Sequence, residues 1–218
     1  GFNNASLISS GPPFNAGIFV SGRQQILVCY GSTPEAGAQI GTQQDPMVVR
    51  WSDVGDYTQF TPATGNQARE FRIPIGSMVM GGLAVSNQNL IWTDLDCWAM
   101  SYQNVPFIYG FNKIGDGAGL ISKHALQALR GSVFWMGPTN FYSYTQRGVV
   151  VLPCSVWDVV FQNLKTGSDG NGRPYVRNVR AMPNTPFNEV GWLFPSSASS
   201  NGENDSYVKF NITEPGAP

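Results

Sequence analysis

Three apolar strands that each end in tryptophan constrain this chain more than any other feature. Leu90-Ile91-Trp92 is followed by a turn and then Cys97-Trp98-Ala99-Met100. Val133-Phe134-Trp135 is followed by a turn at Gly137-Pro138-Thr139-Asn140 and then Phe141-Tyr142-Ser143-Tyr144. Val190-Gly191-Trp192 is followed by a longer loop and then Tyr207-Val208-Lys209-Phe210. Each unit is an apolar strand, a connection and a second aromatic strand. The three tryptophans are spaced 43 and 57 residues apart, and four-stranded propeller blades repeat at roughly 40 to 50 residues. A single blade cannot bury both of its faces, so its aromatics must pack on a neighbour. Chance spacing of strand-forming aromatics in a β-sandwich is the competing account of the same periodicity.

Other strand signals agree with an all-β chain. Gly17–Ser21 and Gln25–Tyr30 form a hairpin around Gly22-Arg23-Gln24, and Pro46–Trp51 is a β-branched run. Glu70–Ile73 and Ser77–Met80 follow, and polar and apolar residues alternate in Arg69-Glu70-Phe71-Arg72-Ile73. The clearest helix is Val156–Leu164, capped by Ser155, in which Val156, Val159, Val160 and Leu164 recur at helical spacing. Ser122–Leu129 reads as a strand. Thr166–Gly172 and Ser196–Asp205 are loops. Abundant glycine (25) and proline (15), with charged residues at 12%, about half the usual share, fit short strands joined by tight turns. The expected fold is therefore all-β: propeller-like blades of short antiparallel strands with one short helix, an incomplete portion of a larger propeller. Residues 1–218 form a single region, with blade-like units near 17–60, 69–111, 120–165 and 175–212.

A net charge of −1 argues against a strongly basic nucleic-acid clamp, which needs clustered Lys and Arg. A surface so poor in charge repels itself weakly, which suits burial against neighbouring subunits. Cys29, Cys97 and Cys154 are odd in number and far apart, so they form neither a disulfide framework nor a zinc site, and each is expected as a buried free thiol. No apolar run is long enough to span a membrane. The chain begins at Gly1 without Met or a signal peptide, as a processed product or fragment would.

Candidate chemistry is sparse. His124 is the only histidine and has no Ser or Cys nucleophile motif beside it, which points to a structural or exposed ring. Asp53 with Asp56, and Asp94 with Asp96, are carboxylate pairs of the kind that hydrolyse glycosides, but both flank turns, where Asp bonds its own backbone. Ser52-Asp53-Val54-Gly55-Asp56 is a partial match to the Asp-box turn of sialidase-like propellers. Asp169-Gly170-Asn171-Gly172 offers oxygens to calcium but lacks the acidic residues of a full loop, and is expected as a turn. Asn4-Ala5-Ser6, Asn204-Asp205-Ser206 and Asn211-Ile212-Thr213 are glycosylation sequons of the kind an Asn- and Ser-rich chain contains by chance. No catalytic, cofactor-binding or metal-binding residue is assigned.

Four phrases carry a family resemblance: Asp45–Asp53 (Asp-Pro-Met-Val-Val-Arg-Trp-Ser-Asp), Asn89–Asp94 (Asn-Leu-Ile-Trp-Thr-Asp), Gly131–Gly137 (Gly-Ser-Val-Phe-Trp-Met-Gly) and Phe187–Ser197 (Phe-Asn-Glu-Val-Gly-Trp-Leu-Phe-Pro-Ser-Ser). Together, over about residues 25 to 212, they resemble the β-propeller tail-hub or nozzle proteins of short-tailed bacteriophages, also described as packaged-DNA stabilisation or tail accessory proteins. The resemblance implies a non-enzymatic virion protein of the tail or connector, assembled in the host cytoplasm. It implies a homo-oligomeric ring, hexameric by family expectation, around the DNA exit channel, in contact with other tail and connector proteins. DNA would pass without sequence-specific binding, along a weakly charged wall that lacks the phosphate contacts of a basic surface. The chain departs from the family in stopping at Pro218, after the second strand of a third tryptophan unit, so its blades are expected to be completed by a longer polypeptide or another chain. The rival class is a carbohydrate-binding or glycan-cleaving propeller, for which tryptophans would line a concave pocket with aspartates.

Overall fold

The computed structural model describes residues 8–35, 43–86, 88–104, 108–145 and 147–213. The protein is all-β, built from small antiparallel sheets. Its described residues divide into two compact units within the span read from sequence as one region. One unit runs to Thr93 and includes Trp98–Lys113; the other comprises Asp94–Cys97 and the residues from Ile114 onward.

In the first unit, β1 (Gly17–Ser21), β2 (Ile26–Tyr30), β3 (Val48–Trp51) and β4 (Arg69–Arg72) form a meander in the order β1-β2-β3-β4. β1 and β2 are the expected hairpin, paired from Gly17 with Tyr30 to Ser21 with Ile26. A second meander joins β5 (Val79–Ala84), β6 (Asn89–Thr93), β7 (Cys97–Asn104) and β8 (Ile108–Gly115), with a bulge in β5 between Val79 and Gly81. The unit's core gathers Ile26, Val28, Val49, Trp51, Ile91 and Met100, among others. The Phe19 ring lies over Gly82 so closely that a Cβ there would sit 2.3 Å from it, so β5 needs glycine at this point.

The alternating stretch Arg69–Ile73 differs from expectation. The sequence places it at the head of a second blade-like unit, near 69–111, yet Arg69–Arg72 pairs with β3, from Val48 with Arg72 to Trp51 with Arg69. The register sets Glu70 opposite Arg50, and opposite charges across a strand pair favour that pairing.

In the second unit, β9 (Leu126–Leu129), β10 (Ser132–Met136), β11 (Phe141–Thr145) and β12 (Gly148–Leu152) form another four-stranded meander. Arg130 and Gly131 connect β9 to β10, both at positive φ (51° and 80°), the conformation of a two-residue hairpin turn whose twist matches its strands. Ser122–Leu129 is thus half turn and half strand: only its second half enters the sheet. β13 (Arg180–Asn184), β14 (Glu189–Phe194) and β15 (Ser206–Asn211) form a three-stranded sheet.

The helix is shorter than its periodicity predicts. α1 spans Trp157–Phe161, Val156 holds the N-cap position, and no side chain caps it. Ser155 is therefore not the cap. Of the four residues in the helical pattern, Val160 and Leu164 are buried while Val156 and Val159 face solvent, so the apolar face is too narrow to hold a longer helix in place.

Trp92, Trp135 and Trp192 are fully buried, and each is the fourth residue of the second strand of its sheet. The repeat seen in sequence is a repeated position within a sheet.

Candidate functional site

The indole N–H of Trp135 donates to the Ala118 carbonyl at 3.0 Å, and that of Trp192 to the Ala125 carbonyl at 2.8 Å. Both acceptors lie in the loop that leads into β9. Phe141 packs on Trp192 with ring centroids 4.7 Å apart, and Phe210 closes on both rings. Trp51 and Trp98 are buried as well, and Trp51 donates to the Gln67 carbonyl at 2.8 Å. Trp157 is the exception: it is 37% exposed and its indole donates to the Thr139 carbonyl.

The aspartates of the sequence reading are occupied by backbone. Asp53 accepts from the amides of Val54 and Gln67, each at 2.8 Å. Asp56 accepts from the hydroxyl and amide of Thr58, and these bonds hold its carboxyl below the ordinary carboxylate range. Asp96 is buried and accepts from the Gly117 amide at 2.9 Å. Asp94 lies in the electrostatic range of Arg177. Asp169 accepts from the amides of Asn171 and Arg173, both at 2.9 Å, and so closes a turn. Among the described residues, no three His, Cys, Asp or Glu side chains gather as metal ligands would.

His124 is exposed, and its ring is held below its ordinary pKa by partial desolvation and then by Arg180, Lys123 and Arg173. The cysteines are free thiols. Burial raises Cys29 to about 11 against the pull of Arg50, and raises Cys97 further, with Asp96 adding to the effect. Cys154 is half-buried, not buried as expected, because it falls in the exposed connection before α1. Of the sequons, Asn204 donates its amide to the Asn178 carbonyl, and Asn211 accepts from the amide and hydroxyl of Thr213. The sequon Asn4-Ala5-Ser6 lies outside the described residues.

The sequence reading missed a buried ionic network. Arg50 is 4% exposed and pairs with Glu35 and, at 3.8 Å, with Glu70; it also donates to the carbonyls of Thr33 and Phe60. The available signal was a single arginine inside the apolar run Val48-Val49-Arg50-Trp51.

Three cavities are of comparable size, one of them, of about 390 Å³, lined in the first unit by Arg23, Gln24, Val54, Gln67, Tyr102 and Tyr109. Another, of about 500 Å³, is lined in the first unit by Ile8, Pro12, Ile18, Leu27, Cys29 and Phe60. The third, of about 370 Å³, is lined in the second unit by Leu120, Ile121, Phe161, Val176 and the Asp94 and Arg177 side chains, among others. Among the described residues no helix is long and apolar enough to cross a membrane. A scan against protein-family models and a search of curated proteins each find no match to this chain.

Proposed function

We propose that this chain is a structural component of a short-tailed bacteriophage tail or connector, its sheets serving as propeller blades in a ring around the DNA exit channel. The observation that carries the reading is the repeated sheet: three consecutive antiparallel meanders, from β5 to β15, in which a fully buried tryptophan holds the fourth position of the second strand. Repetition of one small unit with a large aromatic at a fixed place is how a blade supplies the surface that its neighbour covers. The four phrases of the family resemblance coincide with these strands: Asp45–Asp53 contains β3, Asn89–Asp94 contains β6, Gly131–Gly137 contains β10 and Phe187–Ser197 contains β14.

The side chains that a glycan-binding propeller would present are used otherwise. Five of the six tryptophans are buried, and Asp53, Asp56 and Asp96 bond backbone amides. These contacts support a framework over a sugar site.

The test is localisation. Gold-labelled antibody against the chain should decorate the tail end of phage particles purified from the source culture. Label confined to the particle-free supernatant overturns the reading.

A further inference from the structure

The turn Ser122–Ala125 and the segment Arg173–Arg180 are tied together by hydrogen bonds. The Ala181 amide donates to the His124 carbonyl at 2.7 Å, Arg177 Nη1 donates to the Ile121 carbonyl at 3.0 Å, and the Ser122 hydroxyl donates to the Arg177 carbonyl at 2.8 Å. Arg173 opens this segment: its amide donates to Asp169 at 2.9 Å and its guanidinium Nη2 to the Arg177 carbonyl at 3.4 Å. The His124–Ala181 bond sets the exposed Arg180 beside the exposed Lys123 and His124, and Arg173 lies within electrostatic range of the same ring. Every charge acting on that ring is positive. In a chain with only 13 Lys and Arg in 218 residues, three around one imidazole is a local excess.

We propose that Lys123, His124, Arg173 and Arg180 form a phosphate-binding surface that takes the backbone of duplex DNA without reading its sequence. Two arguments select a phosphate backbone over an acidic protein. The core of a protein interface is depleted of charge and enriched in aromatic side chains, and neither Lys123–His124 nor Phe161–Arg180 contributes an exposed large apolar side chain. Neutralising phosphates needs only clustered cations, and two of these are arginines, whose planar forks match phosphate oxygens. The choice of DNA rests on the proposed function above. It makes this surface a local exception to the weakly charged wall implied by the resemblance.

His124 is the only histidine in the chain, so its imidazole resonances report on this surface alone. The experiment titrates the whole chain, by NMR and by fluorescence anisotropy, with inorganic phosphate, with a duplex of about 12 base pairs and with polyglutamate. The duplex should bind and raise the His124 pKa, because an anion beside the ring favours the imidazolium. Neutralising about three phosphates predicts roughly a forty-fold loss of affinity between about 50 and 200 mM salt. With Arg173→Gln and Arg180→Gln combined, that loss should shrink to roughly four-fold, with the circular dichroism spectrum unchanged. No response of His124 to the duplex overturns the proposal. So does a response to inorganic phosphate alone, or equal binding of polyglutamate and duplex. These outcomes leave the gold-labelling result untouched, so the two readings fail separately.

Discussion

The sheets β1–β4 and β9–β12 are four-stranded meanders of the same order, yet their interiors are held in different ways. In β1–β4 the second strand carries Cys29 at its fourth position, and the tryptophan sits one strand later, as Trp51. Beside it Arg50 is buried and spends its guanidinium on two carboxylates and two carbonyls. In β9–β12 the fourth position of the second strand is Trp135, which fills the interior with an indole and uses its one donor on the loop carbonyl of Ala118. An arginine in an interior must satisfy several donors at once, so it recruits residues distant in sequence, here Glu35 and Glu70. An indole needs only one acceptor and contributes most of its stabilisation through buried area. The same topology therefore accepts either a polar network or an aromatic plug.

Trp135→Ala gives the largest expected effect. It opens a cavity where a fully buried side chain stood and removes a ring that stacks on Tyr142, so urea unfolding should show a loss of about 3 to 5 kcal/mol. If Trp135→Ala does not fold, Trp135→Phe keeps an aromatic ring and should cost less, about 1 to 2 kcal/mol, part of it the unsatisfied Ala118 carbonyl. A loss below about 1 kcal/mol for Trp135→Ala would mean that the ring is not the centre of its sheet. Arg50→Ala comes next, at about 3 kcal/mol, the low end of the cost of breaking a buried pair, because Glu35 and Glu70 are partly exposed and can rehydrate. If Arg50→Ala proves the more damaging of the two, the polar network rather than the aromatic plug is the stronger device.

Gly119 sharpens the comparison from the loop side. It follows the acceptor Ala118, and an added Cβ would lie 2.5 Å from the Asp94 carbonyl oxygen. The obstacle is backbone, so Gly119→Ala must displace the loop that receives the Trp135 donor. A loss of about 1 to 3 kcal/mol is expected, while Gly65→Ala, with open space around it, should be near neutral. Equal effects at the two glycines would show that the loop can shift without disturbing the indole.

Local patterns were legible in the sequence to the extent that they are set by neighbours in the chain. The β1–β2 hairpin, the three tryptophan strands and their aromatic partners follow from apolar runs punctuated by Gly, Pro and Asn, signals that act over a few residues. Val156, Val159, Val160 and Leu164 match helical spacing over more residues than the helix occupies, because spacing alone does not say whether a surface exists to bury that face. β4 pairs with β3 and not with the strands that follow it in sequence, and that partner choice depends on Glu70 meeting Arg50 across the sheet. The turn roles of Asp53, Asp56 and Asp169 are readable because each satisfies an amide within four residues, while the bond of Asp53 to Gln67, further along the chain, is not. The gathering of Lys123, Arg173 and Arg180 is not readable either, since it depends on a hydrogen bond between His124 and Ala181 that no local pattern announces.

The smallest expected effect is an acid dependence that again compares the two units. Asp205 accepts from the Ser196 amide and the Ser196 hydroxyl, both at 2.7 Å, and these bonds, the amide first, lower its pKa from the ordinary 3.8. In the unfolded chain the bonds are gone, so the unfolded carboxylate takes up its proton at higher pH than the folded one. The contribution of Asp205 is therefore present above the unfolded value and is lost as pH falls through the folded value. Asp56 in the first unit follows the same sign through Thr58, the hydroxyl acting before the amide. Asp205→Asn keeps one acceptor for Ser196 but removes the titration. Urea midpoints measured from roughly pH 6 to pH 2 should fall less steeply for Asp205→Asn than for the wild type at the acid end. Asp56→Asn should flatten the same limb, and the double variant should flatten it by the sum, since the two carboxylates share no partner. Both carboxylates are exposed, so water competes for their oxygens, which keeps the effect below that of any buried substitution above. An acid limb for Asp205→Asn that superimposes on the wild type would mean that Ser196 is held by the chain and not by the carboxylate.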